Sequence, residues 1–92
     1  MISRLMAGYR VTFKKSVAKD LRAIPKKDLK RILRRIEELA EEPLPPGAEQ
    51  LTGQERCRLR QGAYRILYEI LHETLLVTVV KVGHRRNVYK DG

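Results

Sequence analysis

Residues 56–89, RCRLRQGAYRILYEILHETLLVTVVKVGHRRNVY, decide the fold because their apolar residues follow the spacing of β-strands. Apolar residues at alternate positions of 64–70 predict a strand with one face on a core. Residues 57–60 alternate apolar with basic, and the QGA at 61–63 fits a tight turn between the two strands. Residues 75–82 are almost continuously apolar, as in a central strand. The stretch therefore predicts three antiparallel strands followed by a basic tail.

One face of this predicted sheet collects positive charge. If the apolar residues of the first two strands share the core face, then Arg58, Arg60 and Arg65 share the opposite face, because successive side chains of a strand alternate. Arg65 is therefore expected to point away from the main core. The tail that follows adds a histidine, two arginines and a tyrosine to the same region.

The third strand is expected to add an apolar row to that face. Placing Lys81 outward also places Leu75, Val77 and Val79 outward, if the strand alternates strictly. An apolar row beside arginines predicts a surface that binds a partner.

Two helices are predicted before these strands. Residues 9–14 alternate apolar with polar and predict a first strand. Ser16 fits the N-cap of a short amphipathic helix that ends at or before Pro25, near which a second amphipathic helix begins. A stiff Pro-Gly loop at 43–47 ends that helix, and the segment 48–55 is predicted to continue as loop. The order β-α-α-β-β-β predicts an α+β fold, with two helices packed on one face of a small, largely antiparallel sheet.

Length and composition narrow the classes of function. The 92 residues predict one domain at 9–92, preceded by a disordered extension at 1–8. Twenty Lys and Arg against eleven Asp and Glu give a net charge of +9, which favours a polyanionic partner, nucleic acid before membrane. One cysteine and two histidines argue against an internal disulfide and a zinc cluster, and no small-molecule cofactor is expected. Without a signal segment or a membrane span, the chain is expected in the cytosol.

The charged face suggests two kinds of chemistry. Cleaving RNA without a metal requires activation of a 2′-hydroxyl, stabilisation of a pentacoordinate phosphate and protonation of the departing 5′-oxygen. His84 and Tyr89 are candidates for proton transfer. Arginine suits the phosphate because its planar fork grips two oxygens and stays charged. A plain phosphate-binding face without catalysis is the alternative that the residue types leave open.

Several motifs in order resemble the RelE/ParE superfamily of toxin-antitoxin toxins, across residues 9–90. They are YRVTFKKSVAKDLRAIPKKDLKRILRRIEEL, the Pro-Gly loop, LTG, RLRQGAYRILYEI and VVKVGHRRNVY. The resemblance implies a RelE-like fold and a cognate antitoxin, expected to cover the apolar row. For the RelE branch it also implies an endoribonuclease, an mRNA interferase that cleaves mRNA in the ribosomal A site, with mRNA and rRNA as partners.

The resemblance also assigns roles to residues. Phosphate binding, stabilisation of the transition state and proton transfer are the roles that it implies. The catalytic candidates are Arg65, Arg85, Tyr89 and His84; the RNA- and phosphate-binding candidates are Arg58, Arg60, Arg86 and Lys81. Two departures are Thr52, where related toxins often carry a basic residue, and His84, where some have lysine. The general base stays open between His84 and Tyr89, with Tyr89 slightly favoured.

Two other functions fit the same resemblance. The ParE branch shares the fold but inhibits DNA gyrase without cutting RNA. An inactive relative that only binds nucleic acid is the third possibility. The arginines together with Tyr89 favour the RelE branch, because a gyrase inhibitor needs no such set of residues.

Overall fold

The computed structural model describes residues 8–51 and 56–84. Its helices are α1 (Lys15–Arg22) and α2 (Lys26–Glu38). Its strands are β1 (Arg10–Phe13), β2 (Ala48–Gln50), β3 (Arg56–Gln61), β4 (Tyr64–Leu71) and β5 (Leu76–His84). Neither described helix is long and apolar enough to cross a lipid bilayer. The predicted extension at 1–8 lies outside the described residues except for Gly8.

The five strands form one sheet in the order β1-β5-β4-β3-β2. β1 runs parallel to β5, whereas the other three neighbouring pairs are antiparallel. The sheet is therefore largely antiparallel, as predicted. Its two long strands, β4 and β5, lie side by side, and β4 is paired along both of its edges.

Both helices pack on one face of the sheet, here called the helix-side face. Val17 of α1 and Ile32 and Ile36 of α2 are almost completely buried and belong to the main core. The sheet residues of that core are Cys57, Leu59, Ile66, Tyr68, Ile70, Val77, Val79 and Val82. Burial of one such side chain contributes about 1.5–3 kcal/mol to stability. The predicted α+β fold is confirmed, and the sheet face opposite the helices is here called the outer face.

The predicted hairpin between β3 and β4 is confirmed. Gln61 pairs with Tyr64, so Gly62 and Ala63 form a two-residue connection. Gly62 has a φ of 60°, a conformation that glycine adopts without the steric cost of a Cβ. This turn fixes the register in which β3 and β4 present their side chains.

A β-bulge interrupts β5 at Val80. Tyr68 pairs with Val79, and the preceding Leu67 pairs with Lys81, so Val80 has no direct partner in β4. Val80 packs against Leu67 in a second, smaller apolar cluster. The bulge changes the phase of alternation, so that Val79 points into the main core while Lys81 lies on the outer face with Leu67.

The predicted outward row of Leu75, Val77 and Val79 is therefore wrong. Val77 and Val79 are fully buried in the main core. Leu75 precedes β5, where it has a φ of 53° and is 43% exposed. The prediction failed because it extended strict alternation backward from Lys81 across the bulge. Val77 and Val79 thus offer no surface to an antitoxin.

Two local predictions are also corrected. α1 begins at Lys15 with Lys14 as its N-cap, and no side chain caps it, so Ser16 lies inside the helix. The Lys14 carbonyl instead accepts the Val17 N–H at 3.0 Å. Residues 48–50, predicted as loop, form β2, which pairs with β3. Three residues are too few to show an alternating pattern in the sequence.

α1 covers part of an edge of β5 that β1 leaves unpaired. β1 pairs with β5 only as far as Val79. Beyond that point the Val82 N–H donates to the Asp20 carboxylate at 3.2 Å, and the same side chain lies 4.0 Å from Lys81 Nζ. Asp20 therefore joins the end of α1 to the last residues of β5.

The Pro-rich loop is attached to the core through Tyr68. The Tyr68 hydroxyl donates to the Pro43 carbonyl at 2.6 Å, which links β4 to a residue 25 positions earlier. Burial raises the pKa of the Tyr68 phenol above its ordinary value of 10.0, because the phenolate is poorly solvated there.

We expect Tyr68→Phe to lower the free energy of unfolding at neutral pH by about 1 kcal/mol, because the Pro43 carbonyl loses its donor. The raised pKa of Tyr68 stabilises the folded state below pH 10, and this contribution is lost as pH rises above that value. Thermal unfolding measured between neutral pH and about pH 11 should therefore show a smaller alkaline loss in the variant. Equal alkaline losses in both proteins would contradict this expectation.

Candidate nucleic-acid interface

Three arginines lie together on the outer face and are called the arginine cluster: Arg58, Arg60 and Arg65. Arg60 and Arg65 are directly opposite each other in β3 and β4, and Arg58 follows on the same face, opposite Leu67. Side chains directly opposite on one face have Cβ atoms about 4.5–5.5 Å apart. The sequence prediction that these three share a face away from the main core is confirmed.

Carboxylates on neighbouring strands accompany these cations. Arg58 forms a hydrogen-bonded ion pair with Glu49 of β2, and Arg56 pairs with Glu69 of β4 at 3.2 Å. The hydrogen bond from Arg58 and its charge lower the pKa of Glu49. Burial opposes this effect, and the charges of Arg60 and Arg65 make smaller contributions that lower the pKa further. All three arginines thus lower the pKa of one carboxylate, as expected of charges that share one face of the sheet.

The members of the arginine cluster differ in accessibility. Arg60 is exposed and Arg58 is half-buried, whereas Arg65 is only 6% exposed. Arg65 lies on the outer face as predicted, but it is more buried than the sequence indicates, since it lies between β3 and the end of β5, opposite Gly83. Replacing Arg65 therefore affects packing as well as charge.

Lys81 lies on the outer face, opposite Leu67. Its ammonium group is 4.0 Å from the Asp20 carboxylate of α1. Lys81 and the arginine cluster share a face, although a carboxylate accompanies Lys81.

His84 does not join the arginine cluster. It pairs with Tyr64, and by alternation both lie on the helix-side face, whereas the preceding Gly83 is opposite Arg65. The rings of Tyr64 and His84 meet edge to face, with centroids 5.8 Å apart and planes at 78°. The predicted gathering of imidazole and arginines is thus corrected: they meet at the same end of the sheet but on opposite faces. The sequence pattern missed this because the strand extends one residue beyond Gly83.

Four other residues singled out from the sequence lie outside the described part of the chain. They are Thr52 and the tail residues Arg85, Arg86 and Tyr89. Their roles stay predictions that rest on the family resemblance.

Sequence reasoning missed the acidic partners on both sides of the cations. Glu49 could not be assigned because β2 was read as loop, and Asp20 reaches β5 only through the packing of α1. Glu69, in contrast, alternates with the core residues of β4, so its position beside Arg56 follows from the strand pattern. These carboxylates reduce the positive charge of the outer face without cancelling it.

The described residues offer little for metal or thiol chemistry. Within 8–51 and 56–84, no group of three or more His, Cys, Asp or Glu is arranged to hold a metal ion. Burial raises the pKa of the Cys57 thiol, which favours its protonated, unreactive form. The arginine cluster is suited to binding anions, phosphate above all, because guanidinium groups donate two parallel hydrogen bonds to its oxygens.

Known proteins match this chain over most of its length. A family model described as the ParE toxin of the type II toxin-antitoxin system, parDE, matches residues 11–89. Putative toxin RelE1 of Methanocaldococcus jannaschii is 30% identical over 87 residues, which cover 90% of this chain and 97% of that protein. Toxin RelG of Mycobacterium tuberculosis is 31% identical over 86 residues, covering 89% and 97%.

A solved structure shares the fold as well. The archaeal RelE-RelB complex from Pyrococcus horikoshii OT3 contains a chain that is 30% identical to this one and superposes with a TM-score of 0.76. The match covers 84% of this chain and 94% of that chain. The chain therefore belongs to the ParE toxin family and is a RelE-like toxin of a type II toxin-antitoxin system.

Proposed function

We propose that this toxin is a metal-independent endoribonuclease that cleaves mRNA at the ribosome and thereby inhibits translation. The arginine cluster on the outer face carries the proposal, because three neighbouring guanidinium groups suit the charge of a phosphate under attack. Relatives named RelE1 and RelG support the RelE branch. The proposed partners are mRNA, rRNA and a cognate antitoxin, and the proposed place of action is the cytosol.

The two cross-strand arginines suit different tasks. Arg60 is exposed and can meet an incoming phosphate. Arg65 is buried, so its guanidinium is held with little freedom, and a preorganised charge stabilises a transition state at low reorganisation cost. We therefore assign substrate binding mainly to Arg60 and stabilisation of the pentacoordinate phosphate mainly to Arg65.

A gyrase inhibitor is the second candidate, since the family model that matches residues 11–89 is that of ParE. Such an inhibitor acts by binding a protein and requires no phosphate site. The two candidates therefore differ in whether RNA ends are produced.

We expect the purified toxin to produce new mRNA 3′ ends at the ribosomal A site when it is added to translating ribosomes. A gyrase supercoiling assay with the same preparation should show no inhibition. Mapping mRNA ends in parallel with that assay distinguishes an endoribonuclease from a gyrase inhibitor. Gyrase inhibition without new mRNA ends would assign the chain to the ParE activity instead.

We expect Arg60→Gln to slow single-turnover cleavage by about 100-fold while leaving the melting temperature almost unchanged, because the side chain is exposed. Arg65→Lys keeps the charge but loses the planar fork, so it should also slow cleavage. Lys19→Gln on α1 is the control for loss of one exposed positive charge. If Lys19→Gln slows cleavage as much as Arg60→Gln, the arginine cluster has no special role.

We also expect Tyr89→Phe to reduce cleavage by about 100-fold or more and His84→Gln to reduce it much less. The reason is that His84 lies on the helix-side face, away from the arginine cluster, while the family resemblance retains a tyrosine at the position of Tyr89. Single-turnover rates on ribosome-bound mRNA provide the measurement. If Tyr89→Phe cleaves at an undiminished rate, the proton-transfer role must be assigned to His84 or to groups of the ribosome.

A further inference from the structure

A second concentration of positive charge lies on α2, far along the chain from the arginine cluster. Five exposed cations surround a shallow depression of about 490 Å³. These five, called the α2 surface, are Lys26, Lys27, Lys30, Arg31 and Arg34. They occupy two adjacent rows at i, i+4 spacing, which extend about 12 Å along the helix.

The α2 surface differs from the outer face because, within the described part of the chain, none of its cations forms an ion pair with a carboxylate. The ion pair between Arg35 and Glu38, at 2.9 Å in the last turn of α2, does not include any of these five cations. Like charges at i, i+4 spacing repel and weaken a helix. A bound polyanion would relieve this repulsion, because its charges would lie beside the exposed cations.

A small cleft adjoins the α2 surface. It has a volume of about 240 Å³ and is called the turn cleft; its lining residues are Asp28, Arg31, Ile32, Gln61, Gly62, Ala63, Tyr64 and His84. Arg31 lines both the depression and the turn cleft, so the two are adjacent. A Cβ placed on Gly62 would meet no atom within 4 Å, which shows that the cleft is open at the turn.

The lining of the turn cleft suits a nucleobase. The rings of Tyr64 and His84 provide aromatic surface on which a base can stack. The Gln61 amide and the Arg31 guanidinium supply donors, and Asp28 supplies an acceptor, for the hydrogen-bonding edge of a base. Aromatic stacking beside a cationic track is the usual means of holding single-stranded nucleic acid.

We propose that the α2 surface and the turn cleft form a second RNA-binding site, distinct from the arginine cluster. The cations of α2 hold the backbone phosphates of an unpaired RNA segment, and the turn cleft takes one of its bases. This inference rests on the proposed function in one respect, which is that RNA is taken to be the ligand. It adds a contact on the helix-side face to the one proposed for the outer face.

The test measures binding of a labelled, unpaired 2′-O-methyl oligoribonucleotide, which lacks the nucleophilic hydroxyl, at several salt concentrations. Lys30→Gln combined with Arg31→Gln should reduce the slope of log K against log salt by about 1.4, or about 0.7 per lost phosphate contact. The matched control is Lys15→Gln with Lys19→Gln, an exposed i, i+4 pair on α1. Equal slopes for the two double variants would overturn the proposal.

A second variant tests the base separately from the charge. Ala63→Trp fills the turn cleft and leaves the cations in place, so RNA should bind roughly tenfold more weakly, the loss of about one stacked base. The salt slope and the affinity for inorganic polyphosphate, which has no bases, should stay the same. Unchanged RNA affinity in Ala63→Trp would overturn the assignment of the turn cleft.

Two further outcomes distinguish this RNA-binding proposal from binding of an acidic protein and from the proposed nuclease function. If the α2 variant weakens binding of polyglutamate as much as that of RNA, the surface fits an acidic protein segment and the RNA proposal fails. Because the oligonucleotide cannot be cleaved, the binding result does not depend on nuclease activity. A toxin that binds RNA in this way yet produces no mRNA ends would refute the proposed function and retain the second site.

Discussion

The structure depends on the pairing of β4 along both of its edges. β3 and β5 satisfy its backbone hydrogen bonds, so its side chains are divided strictly between the two faces of the sheet. Ile66, Tyr68 and Ile70 enter the main core, and Arg65 is thereby held on the other side. A shift of the register by one residue would exchange these sets and place a guanidinium in the core. The same pairing thus fixes both the hydrophobic core and the location of the charge.

The helix-side face mainly holds the apolar core and the outer face mainly holds charged groups, but each face also carries some of the other kind. The helix-side face carries the core at its centre, but at the end near the β3–β4 turn it opens into a polar cleft beside Tyr64 and His84. The outer face carries ionic groups, yet it contains a small apolar cluster of Leu67 and Val80. Arg65 lies on the same face two residues before Leu67 and is itself buried. Each face therefore combines packing with an accessible charged region.

The sequence predicted the features that follow from simple periodicity. Two amphipathic helices, the β3–β4 hairpin and the common face of Arg58 and Arg60 were all foreseeable from residue spacing. The phase of β5 was not, because a bulge adds one residue and a nearly continuous apolar run contains no sign of where it occurs. The separation of His84 from the arginines was missed because the predicted strand, residues 75–82, stops before His84, whereas β5 includes it. Pairings such as Asp20 with Val82, which lie 62 residues apart, depend on tertiary packing that no local pattern records.

The contact between Asp20 and β5 also bears on self-association. β1 contributes only four paired residues, so the described part of β5 beyond Val79 has backbone groups on that edge that β1 does not satisfy. Exposed strand edges recruit strands from other molecules and promote aggregation. The Asp20 carboxylate accepts the Val82 N–H and brings a negative charge to the edge. A strand added at this edge would therefore have to break that hydrogen bond. A single acidic residue near the end of a short helix thereby hinders the addition of a strand from another molecule at this sheet edge.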